Sequence, residues 1–360
     1  MFCCFKKTRE VCHRTNCYQV AVGDVILGGY HNVAIQSMIK IKTSNVDTVI
    51  NQINKLVNLG CDLVRVAVYD EKDAQALKQI CIKSKCPIIA DIHFNFLFAI
   101  KAIEAGCKKI RINPDNISDI DQLKQIIEKA KEYKVAIRIG INGGSASKNS
   151  GVETQNQLVK RMLNWVNFFE KQNFKNLVLS IKHSDPQLTY KANVLLSSKT
   201  RYPIHIGATE AGPNDLAIVK SCSLLLPLLN KGIGCTIRVS INGDPEQEVY
   251  IARAILNQAG LYHNFVDIIA CPLCGRNKFN TIKIVNKVHQ YLKDKKCHLS
   301  IAIMGCVVNG LGEANLADIG ICIVSTTKSI LFIKGKKVKT INNNNINSEL
   351  KAYITKFTKK

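Results

Sequence analysis

Short runs of β-branched and other apolar residues recur along the first two-thirds of the chain, and segments with a helical period of apolar residues separate them. One such segment, DTVINQINKLVNLG, begins at Asp47 and is predicted to end at Gly60. The predicted strands are VAIQSM from Val33, DLVRVAV from Asp62, PIIADIHF from Pro87, KIRINP from Lys109, VAIRIGIN from Val135, NLVLSIKHS from Asn176, PIHIGATE from Pro203 and CTIRVSI from Cys235. Eight alternating strand–helix units predict an α/β fold with a (β/α)₈ barrel of the TIM type.

The pattern changes after the segment NFVDIIA, which ends at Ala270. A CPLC motif follows at once, and about thirty residues later comes the glycine-rich stretch IAIMGCVVNGLGEANLADIGI. We therefore predict two domains, the barrel over residues 1–262 and a smaller α/β domain over residues 263–360.

Charged and polar residues stand at the predicted strand ends, where TIM-type barrels carry their active sites. Five strands each place a cation near this rim: Arg65, Arg111, Arg138, Lys182 and Arg238. Other polar residues at the same ends are Asp91, His93, Asn113, Asn142, Ser184, His205, Thr209, Glu210 and Ser240.

Two explanations compete for the five cations. Ion pairs with Asp91 and Glu210 would tie the barrel layers together, but these are only two carboxylates at matching positions. A ring of Arg and Lys suits phosphate groups, and the backbone amides of NGGS at 142–145 could add a further anion site. The barrel mouth is therefore predicted to bind a small substrate that carries more than one phosphate.

Composition narrows the class of protein. Apolar residues make up 46% of the chain, and no run approaches the roughly 18 residues that a membrane span requires. The N-terminal segment MFCCFKKTREVCHRTNC carries charges where a signal peptide needs its apolar region. We expect a cytoplasmic protein without a membrane partner.

The formal net charge of +23 raises the possibility of a nucleic-acid partner. Lysines are spread along the whole chain, however, and aromatic residues are scattered and amount to 6%. Nucleic-acid binding requires a focused basic surface, so no nucleic-acid partner is predicted.

Fifteen cysteines in a long chain without a signal peptide favour reduced thiols, a few of them bound to metal. Cys271 and Cys274 form a Cys-x-x-Cys pair, Cys306 follows an apolar strand, and Glu313 comes seven residues later. A redox dithiol leaves Cys306 without a role, and a structural zinc site lacks its second pair of ligands. Three thiolates and an odd fourth position favour a catalytic 4Fe-4S cluster, while the spacing alone leaves all three possibilities open.

The motifs as a set resemble one family, the 4-hydroxy-3-methylbut-2-enyl diphosphate synthases, which are iron–sulfur enzymes of the non-mevalonate isoprenoid pathway. The resemblance runs from about Ala34 to about Gly320. It rests on the motifs ADIHF, RINP, IRIGINGGS, TEAG, GIGCTIRVSI, IACPLCGR and GCVVNGLGEA.

The resemblance implies an oxidoreductase that opens the ring of 2-C-methyl-D-erythritol 2,4-cyclodiphosphate, with electrons from reduced flavodoxin or ferredoxin. It also implies a homodimer in which the cluster domain of one subunit caps the barrel of the other. The residues implied as metal ligands are Cys271, Cys274, Cys306 and Glu313. Those implied in substrate binding or at the reacting atoms are Arg65, Asp91, His93, Arg111, Asn113, Arg138, Asn142, Lys182, Ser184, Glu210, Arg238 and Ser240.

The chain departs from the family pattern at a few positions. Leu311 stands where Pro is usual, and Cys235 stands where Asp is usual. The loop after Gly320 and the region after NGGS also differ. None of these departures removes a predicted ligand.

Overall fold

The computed structural model describes residues 12–93, 95–117, 119–143 and 153–358. The chain forms two compact units, Met1–Leu261 and Tyr262–Lys360. Within the described ranges, no helix is both long and apolar enough to cross a membrane.

The first unit is a barrel of eight parallel strands, and all eight predicted strands are confirmed. An antiparallel hairpin of β1 (Val20–Val22) and β2 (Val25–Leu27) precedes it. The barrel strands are β3 (Ala34–Met38), β4 (Leu63–Ala67), β5 (Ile88–Asp91), β6 (Lys109–Ile112), β7 (Ala136–Asn142), β8 (Leu177–Lys182), β9 (His205–Ile206) and β10 (Thr236–Ile237). The ring runs β8-β7-β6-β5-β4-β3-β10-β9, and a parallel bridge between Leu179 and Ile204 joins its two ends.

Helices separate the barrel strands, as the periodicity predicts. Helix α1 (His13–Asn16) precedes the hairpin. The separating helices are α2 (Val46–Leu59), α3 (Glu71–Lys83), α4 (Phe96–Glu104), α5 (Ile120–Glu132), α6 (Gln155–Lys171), α7 (Pro186–Lys199) and α8 (Asn214–Asn230), and α9 (Pro245–Gln258) follows β10. Helix α2 ends at Gly60, whose φ of 102° favours glycine, so the predicted end is confirmed. Helix α6 begins with a capping box, in which Thr154 and Gln157 satisfy each other's backbone N–H groups.

The second unit is a five-stranded sheet with helices, in line with the α/β domain predicted there. Its strands are β11 (Val266–Ala270), β12 (Leu299–Met304), β13 (Ile319–Ile323), β14 (Lys328–Ile333) and β15 (Lys336–Asn342), in that spatial order. The first three are parallel and the last two antiparallel. Helices α10 (Ile282–Leu292), α11 (Val307–Leu316) and α12 (Ile346–Thr358) complete the unit.

Helix α11 lies close to strand β13 because residue 320 is a glycine. A Cβ atom on Gly320 would stand 2.1 Å from the backbone oxygen of Ala314. Gly320→Ala must therefore move the helix, and we expect it to reduce the free energy of unfolding by about 3 kcal/mol. Urea unfolding measures this change.

Gly312→Ala in the same helix is the matched control. A Cβ there meets no heavy atom of the described residues within 4 Å. Alanine has the higher helix propensity, so this variant should gain up to about 1 kcal/mol. Equal effects of the two substitutions would contradict the close packing at Gly320.

Candidate functional site

The inward-facing positions of the barrel strands change from apolar to charged along the barrel axis. Alternate strand residues face inward, and the register brings these positions into layers. The layer at the strand starts packs against the hairpin and contains Ala34, Leu63, Ile89, Ala136 and Val178. The C-terminal layers contain the predicted cations. The hairpin end of the barrel is therefore filled by apolar side chains, and the charged side chains lie at the other end.

One pocket of about 110 Å³ lies at the C-terminal end of the barrel. All five predicted cations line it, and its lining residues are Arg65, Asp91, His93, Arg111, Arg138, Gly140, Asn142, Ser180, Lys182, Thr209, Arg238 and Ser240. Its volume equals that of about four water molecules, which is the size of phosphate groups. Gly140 and Ser180 are lining residues that the strand-end reasoning missed.

Asp91 is the carboxylate at the centre of this pocket. Its Oδ2 lies 3.8 Å from Arg65 Nε and 3.4 Å from His93 Nε2, and its Oδ1 lies 3.6 Å from Arg111 Nη1. Burial would raise the pKa of Asp91, but Arg65, His93 and Arg111 together hold that pKa well below its usual range. Asp91 is therefore ionised and offsets part of the positive charge.

Arg138 is a buried cation that lacks partners. Its side chain is 3% exposed, and in the described part of the chain neither Nε nor Nη1 has a hydrogen-bond partner. Burial and then the charges of Arg65 and Arg111 lower the pKa of Arg138. A guanidinium stays protonated in proteins, so this site holds a desolvated positive charge that an anion would stabilise.

Lys182 is equally crowded. Burial lowers the pKa of Lys182 well below its usual value, and the charges of Arg138 and Arg238 lower it further. Two glycines make room for the long side chains: a Cβ on Gly207 would lie 3.0 Å from Lys182 Nζ, and one on Gly140 would lie 2.8 Å from Arg111 Nε. These two glycines therefore give cations that repel one another the space to lie side by side.

Glu248 is a second carboxylate of the barrel mouth, and the sequence reasoning missed it. Its Oε2 lies 3.6 Å from Arg238 Nε, and its Oε1 lies 3.2 Å from Lys40 Nζ. Its Oε2 also accepts a hydrogen bond from the Ser37 hydroxyl at 3.1 Å. Glu248 belongs to α9 and is 1% exposed. The sequence does contain a sign of this role, because Glu248 is a carboxylate on the helix face that also carries the apolar Ala252 and Ile255.

Glu248→Gln should destabilise the protein, because it keeps the shape of the side chain but leaves Arg238 and Lys40 without their counter-charge. We expect a loss of about 3 kcal/mol in the free energy of unfolding, measured with urea. Glu246→Gln, two residues earlier, breaks a half-exposed pair with Lys55 and should change stability by less than about 0.5 kcal/mol. Similar losses in both variants would contradict the role of Glu248.

Lys109 lies inside the barrel and is 0% exposed. Burial and then the charges of Arg138 and Arg65 lower the pKa of Lys109 well below its usual value. The unfolded chain therefore binds more protons than the folded chain between that lowered pKa and about 10.4, so stability rises with pH in this window. Lys109→Met should gain about 2 kcal/mol at pH 7 and reduce the slope between pH 7 and pH 9.

Urea midpoints at the two pH values test the prediction on Lys109. Its neighbour Lys108 is exposed, so Lys108→Met should leave both midpoints unchanged. A loss of stability in Lys109→Met at pH 7 would show that the charged amine is stabilising.

Three predicted site residues do not line the described pocket. Asn113 is buried and caps the 3₁₀ turn Pro114–Asn116, where its Oδ1 accepts a hydrogen bond from the Asp115 backbone N–H at 3.3 Å. Ser184 is exposed, and Glu210 is exposed with a left-handed φ of 50°. Of the NGGS segment, Gly144 and Ser145 lie outside the described residues. The roles of these residues stay predictions.

The three predicted thiol ligands belong to two segments of the second unit that contact each other. Cys271 follows β11, and Cys306 precedes α11 after the neighbouring parallel strand β12. A Cβ on Gly305 would lie 2.5 Å from Asn277 Oδ1 and 3.0 Å from Leu273 Cδ2, so the CPLC loop packs directly on the turn before Cys306.

The thiols are accessible to different degrees: Cys271 and Cys306 are half-buried and Cys274 is exposed. Among the described side chains, no three His, Cys, Asp or Glu residues are close enough together to hold a metal ion. Glu313 belongs to α11, and Cys306 is the residue that caps the start of this helix, seven positions earlier. Its half-buried side chain and the three thiols form a donor set of soft sulfur and hard oxygen.

The fold and the site define a TIM-type barrel protein with a cation-lined mouth, followed by an α/β unit that carries a Cys-x-x-Cys…Cys set. The chain belongs to the GcpE family: the GcpE TIM-barrel domain matches residues 17–253 and the GcpE protein C-terminal domain matches residues 267–356. The predicted family is thus confirmed.

Curated relatives are similar over nearly their whole length. The 4-hydroxy-3-methylbut-2-en-1-yl diphosphate synthase (flavodoxin) of Malacoplasma penetrans is 44% identical over 340 residues, which is 93% of each chain. The enzyme of the same name from Mycoplasmoides gallisepticum is 43% identical and covers 95% of this chain and 96% of its own. That of Persephonella marina is 42% identical and covers 96% of each.

Solved structures show the same barrel. The dihydropteroate synthase of Yersinia pestis has a TM-score of 0.51 at 10% identity and covers 67% of this chain and 98% of its own. That of Stenotrophomonas maltophilia has a TM-score of 0.51 at 13% identity, with 66% and 97% covered. At such identity the likeness shows the fold alone, and it confirms the predicted TIM-type barrel.

Proposed function

We propose that this chain catalyses the reductive ring opening and dehydration of 2-C-methyl-D-erythritol 2,4-cyclodiphosphate to (E)-4-hydroxy-3-methylbut-2-enyl diphosphate. Two electrons and two protons enter, one C–O bond of the ring breaks, and one water leaves. The names of the relatives support the reaction class. The observation that carries the proposal is the buried guanidinium of Arg138, whose Nε and Nη1 have no hydrogen-bond partner among the described residues, in a pocket lined by four further cations.

The cations of the pocket would hold the cyclic diphosphate. Arg65, Arg111, Arg138 and Arg238 can each donate two N–H groups to phosphate oxygens, and Lys182 adds a point charge. Asp91 keeps Arg65 and Arg111 in place through the contacts given above. The excess of cations over carboxylates becomes favourable when the substrate supplies its negative charge.

Polar groups around the rim would orient the carbon atoms of the substrate. His93 Nε2 accepts a hydrogen bond from Arg111 Nη1 at 3.0 Å, so the imidazole would hold the guanidinium in place for a phosphate oxygen. Asn142 and Ser240 line the same pocket and offer hydrogen bonds to hydroxyl groups. Glu210 is proposed as the proton-handling group, and Asn113 and Ser184 as supporting residues.

The second unit offers donors of the kind that hold an iron–sulfur cluster, namely three thiols and a carboxylate on two contacting segments. Among the described side chains these donors are not gathered around one metal position, so binding the cluster would draw them together. Cys271, Cys274 and Cys306 would hold a 4Fe-4S cluster, and Glu313 would bind the fourth iron as a harder, more easily displaced ligand. When bound, the cluster supplies the two electrons one at a time. The donor would be reduced flavodoxin, as in the names of the relatives, or ferredoxin.

The test is iron and sulfide analysis with an EPR spectrum of anaerobically purified, dithionite-reduced protein, before and after addition of the cyclodiphosphate. About four irons per chain and a spectrum altered by the substrate are expected. Zinc in place of iron, in protein never exposed to air, would refute the redox function. Turnover with reduced flavodoxin as donor completes the assignment.

The proposed homodimer, with the cluster of one subunit serving the barrel of the other, is tested by mixing two inactive variants. Arg138→Ala impairs a barrel and Cys306→Ser impairs a cluster. Mixed dimers should recover up to about one quarter of the wild-type activity if half of them form and one of two sites is intact. No recovery, in dimers shown to have exchanged subunits, would refute the arrangement.

The cytoplasmic location stays a prediction from the sequence.

A further inference from the structure

Cysteines gather at the N-terminal end of the barrel, which is the end opposite to the cation-lined pocket. Four of them stand one or two residues before a barrel strand: Cys61, Cys86, Cys107 and Cys235. Two pairs of thiols are in contact there. Cys17 Sγ lies 3.4 Å from Cys235 Sγ, and Cys81 Sγ lies 3.6 Å from Cys107 Sγ.

We propose that Cys17 and Cys235 form an oxidisable dithiol, which hydrogen peroxide converts into a disulfide that ties the N-terminal hairpin to strand β10. The two residues are 218 positions apart, so the bond would close almost the whole barrel unit into one covalent loop. This site is independent of the proposed catalytic function.

The geometry favours the bond. A disulfide has an S–S distance of about 2.05 Å, so the two sulfurs need to approach by roughly 1.4 Å. Cys17 stands three residues before β1, in the segment that seals the barrel, and both thiols belong to the same apolar cluster. Gly28 keeps space for the sulfur, because a Cβ there would lie 2.7 Å from Cys17 Sγ.

The two thiols differ in acidity in the way that such a reaction requires. A hydrogen bond from Cys235 lowers the pKa of Cys17 to about 7 against the effect of burial, while that same contact and burial raise the pKa of Cys235. A thiolate is the nucleophilic form of cysteine. Cys17 is therefore the attacking sulfur near neutral pH, and Cys235 is the resolving thiol.

Each step balances. The Cys17 thiolate attacks one oxygen of hydrogen peroxide, the O–O bond breaks, and hydroxide leaves, so that sulfur is oxidised to sulfenic acid and the peroxide is reduced. Cys235 then attacks the Cys17 sulfur, the S–O bond breaks, and the proton of Cys235 leaves with the oxygen as water. Two thiols and one peroxide give one disulfide and two waters.

A cleft lies beside this pair. It has a volume of about 940 Å³, and its walls include Asn16 and Tyr18, the two chain neighbours of Cys17. Cys17 is 5% exposed and Cys235 is 1% exposed, so oxidation requires a small reagent such as peroxide and a local opening of the segment around Cys17.

Cys61 is the matched internal control. It is also buried at the start of a barrel strand, and its thiol donates to the backbone oxygens of Leu63 at 3.2 Å and Ile35 at 3.5 Å, as the Cys17 thiol does to that of Arg14 at 3.1 Å. Among the described hydrogen bonds, however, Cys61 has no thiol partner. Burial raises the pKa of Cys61 well above its usual value. It should stay reduced under conditions that oxidise Cys17.

The experiment treats the full-length, anaerobically purified chain with one equivalent of hydrogen peroxide, removes the peroxide, and unfolds the protein in urea with N-ethylmaleimide so that every remaining free thiol is blocked. The peptides are then mapped without reductant. We expect a Cys17–Cys235 linked peptide in most molecules while Cys61 remains alkylated, and reversal by dithiothreitol. In Cys235→Ser, which lacks the resolving thiol, Cys17 should be trapped as sulfenic acid by dimedone.

Two results would overturn the proposal: Cys17 and Cys235 both alkylated after other cysteines have oxidised, or Cys17 linked to a different cysteine. The peptide map of the peroxide-treated wild-type protein tests the proposal even if Cys235→Ser does not fold. The peptide map requires neither bound iron nor turnover, so a negative result for the disulfide can be distinguished from a failure of the proposed function. The linked form should also melt about 5 °C higher than the reduced form.

Discussion

Cys306→Ser is expected to reduce bound iron from about four per chain to below about one, and to reduce turnover at least about 100-fold. Serine offers a harder oxygen ligand with a far higher pKa, which suits iron–sulfur clusters poorly. Cys306 stands at the start of α11, directly after the turn on which the CPLC loop packs, so the substitution removes the one proposed thiol ligand that does not belong to the CPLC loop. Iron analysis and the EPR spectrum measure the effect without reference to activity.

Cys322→Ala is the matched control for Cys306→Ser. The Cys322 thiol is buried in strand β13, 3.7 Å from the backbone oxygen of Cys306, and is not among the proposed ligands. This variant should keep its full iron content and lose about 1 kcal/mol of stability through the small cavity. Full iron in Cys306→Ser, or equal loss in both variants, would contradict the ligand assignment.

The barrel was predictable because its strands and helices follow two different periods. Runs such as DLVRVAV from Asp62 are short and rich in β-branched residues, which is typical of buried parallel strands, and helix ends such as Gly60 are marked by residue type. The position of the pocket could then be predicted from the strand ends, because parallel strands bring their C-terminal ends together. This is why five cations from distant parts of the chain were expected to meet before any contact was known.

What the sequence could not reveal depends on contacts between elements. The N-terminal hairpin has strands of three residues, which are too short for a period to be recognised. Glu248 belongs to a helix, and only the packing of α9 against the barrel brings it to Arg238. Glu210 was expected at the pocket because it follows a strand, but a left-handed turn leaves its side chain exposed.

The cysteines also depend on contacts between elements that the sequence does not reveal. The spacing of Cys271 and Cys274 fits three kinds of site, and the sequence does not say which strand lies next to which. The parallel pairing of β11 with β12 is what brings the CPLC loop to Cys306. Likewise, no sequence pattern pairs Cys17 with Cys235 across 218 positions, because the contact exists only when the barrel closes.

Arg138→Met is expected to weaken binding of the cyclodiphosphate by about 100-fold, because it removes two or more charge-assisted hydrogen bonds worth about 3 kcal/mol together. The same variant should make the free protein more stable, by about 1 to 4 kcal/mol, since the buried guanidinium has donors without partners and lies near other cations. Stability and affinity should therefore move in opposite directions, which a merely structural arginine would not produce.

Calorimetry on anaerobic, unreduced protein measures the affinity, since no turnover occurs without electrons, and urea unfolding measures the stability. Arg201→Met is the control: Arg201 is exposed at the other end of the barrel, 5.0 Å from the Tyr18 ring, and its loss should leave affinity unchanged. Affinity within twofold of wild type together with reduced stability in Arg138→Met would show that Arg138 holds the fold rather than the substrate. The cation ring would then need a different explanation, with Asp91 and Glu248 as its structural counter-charges.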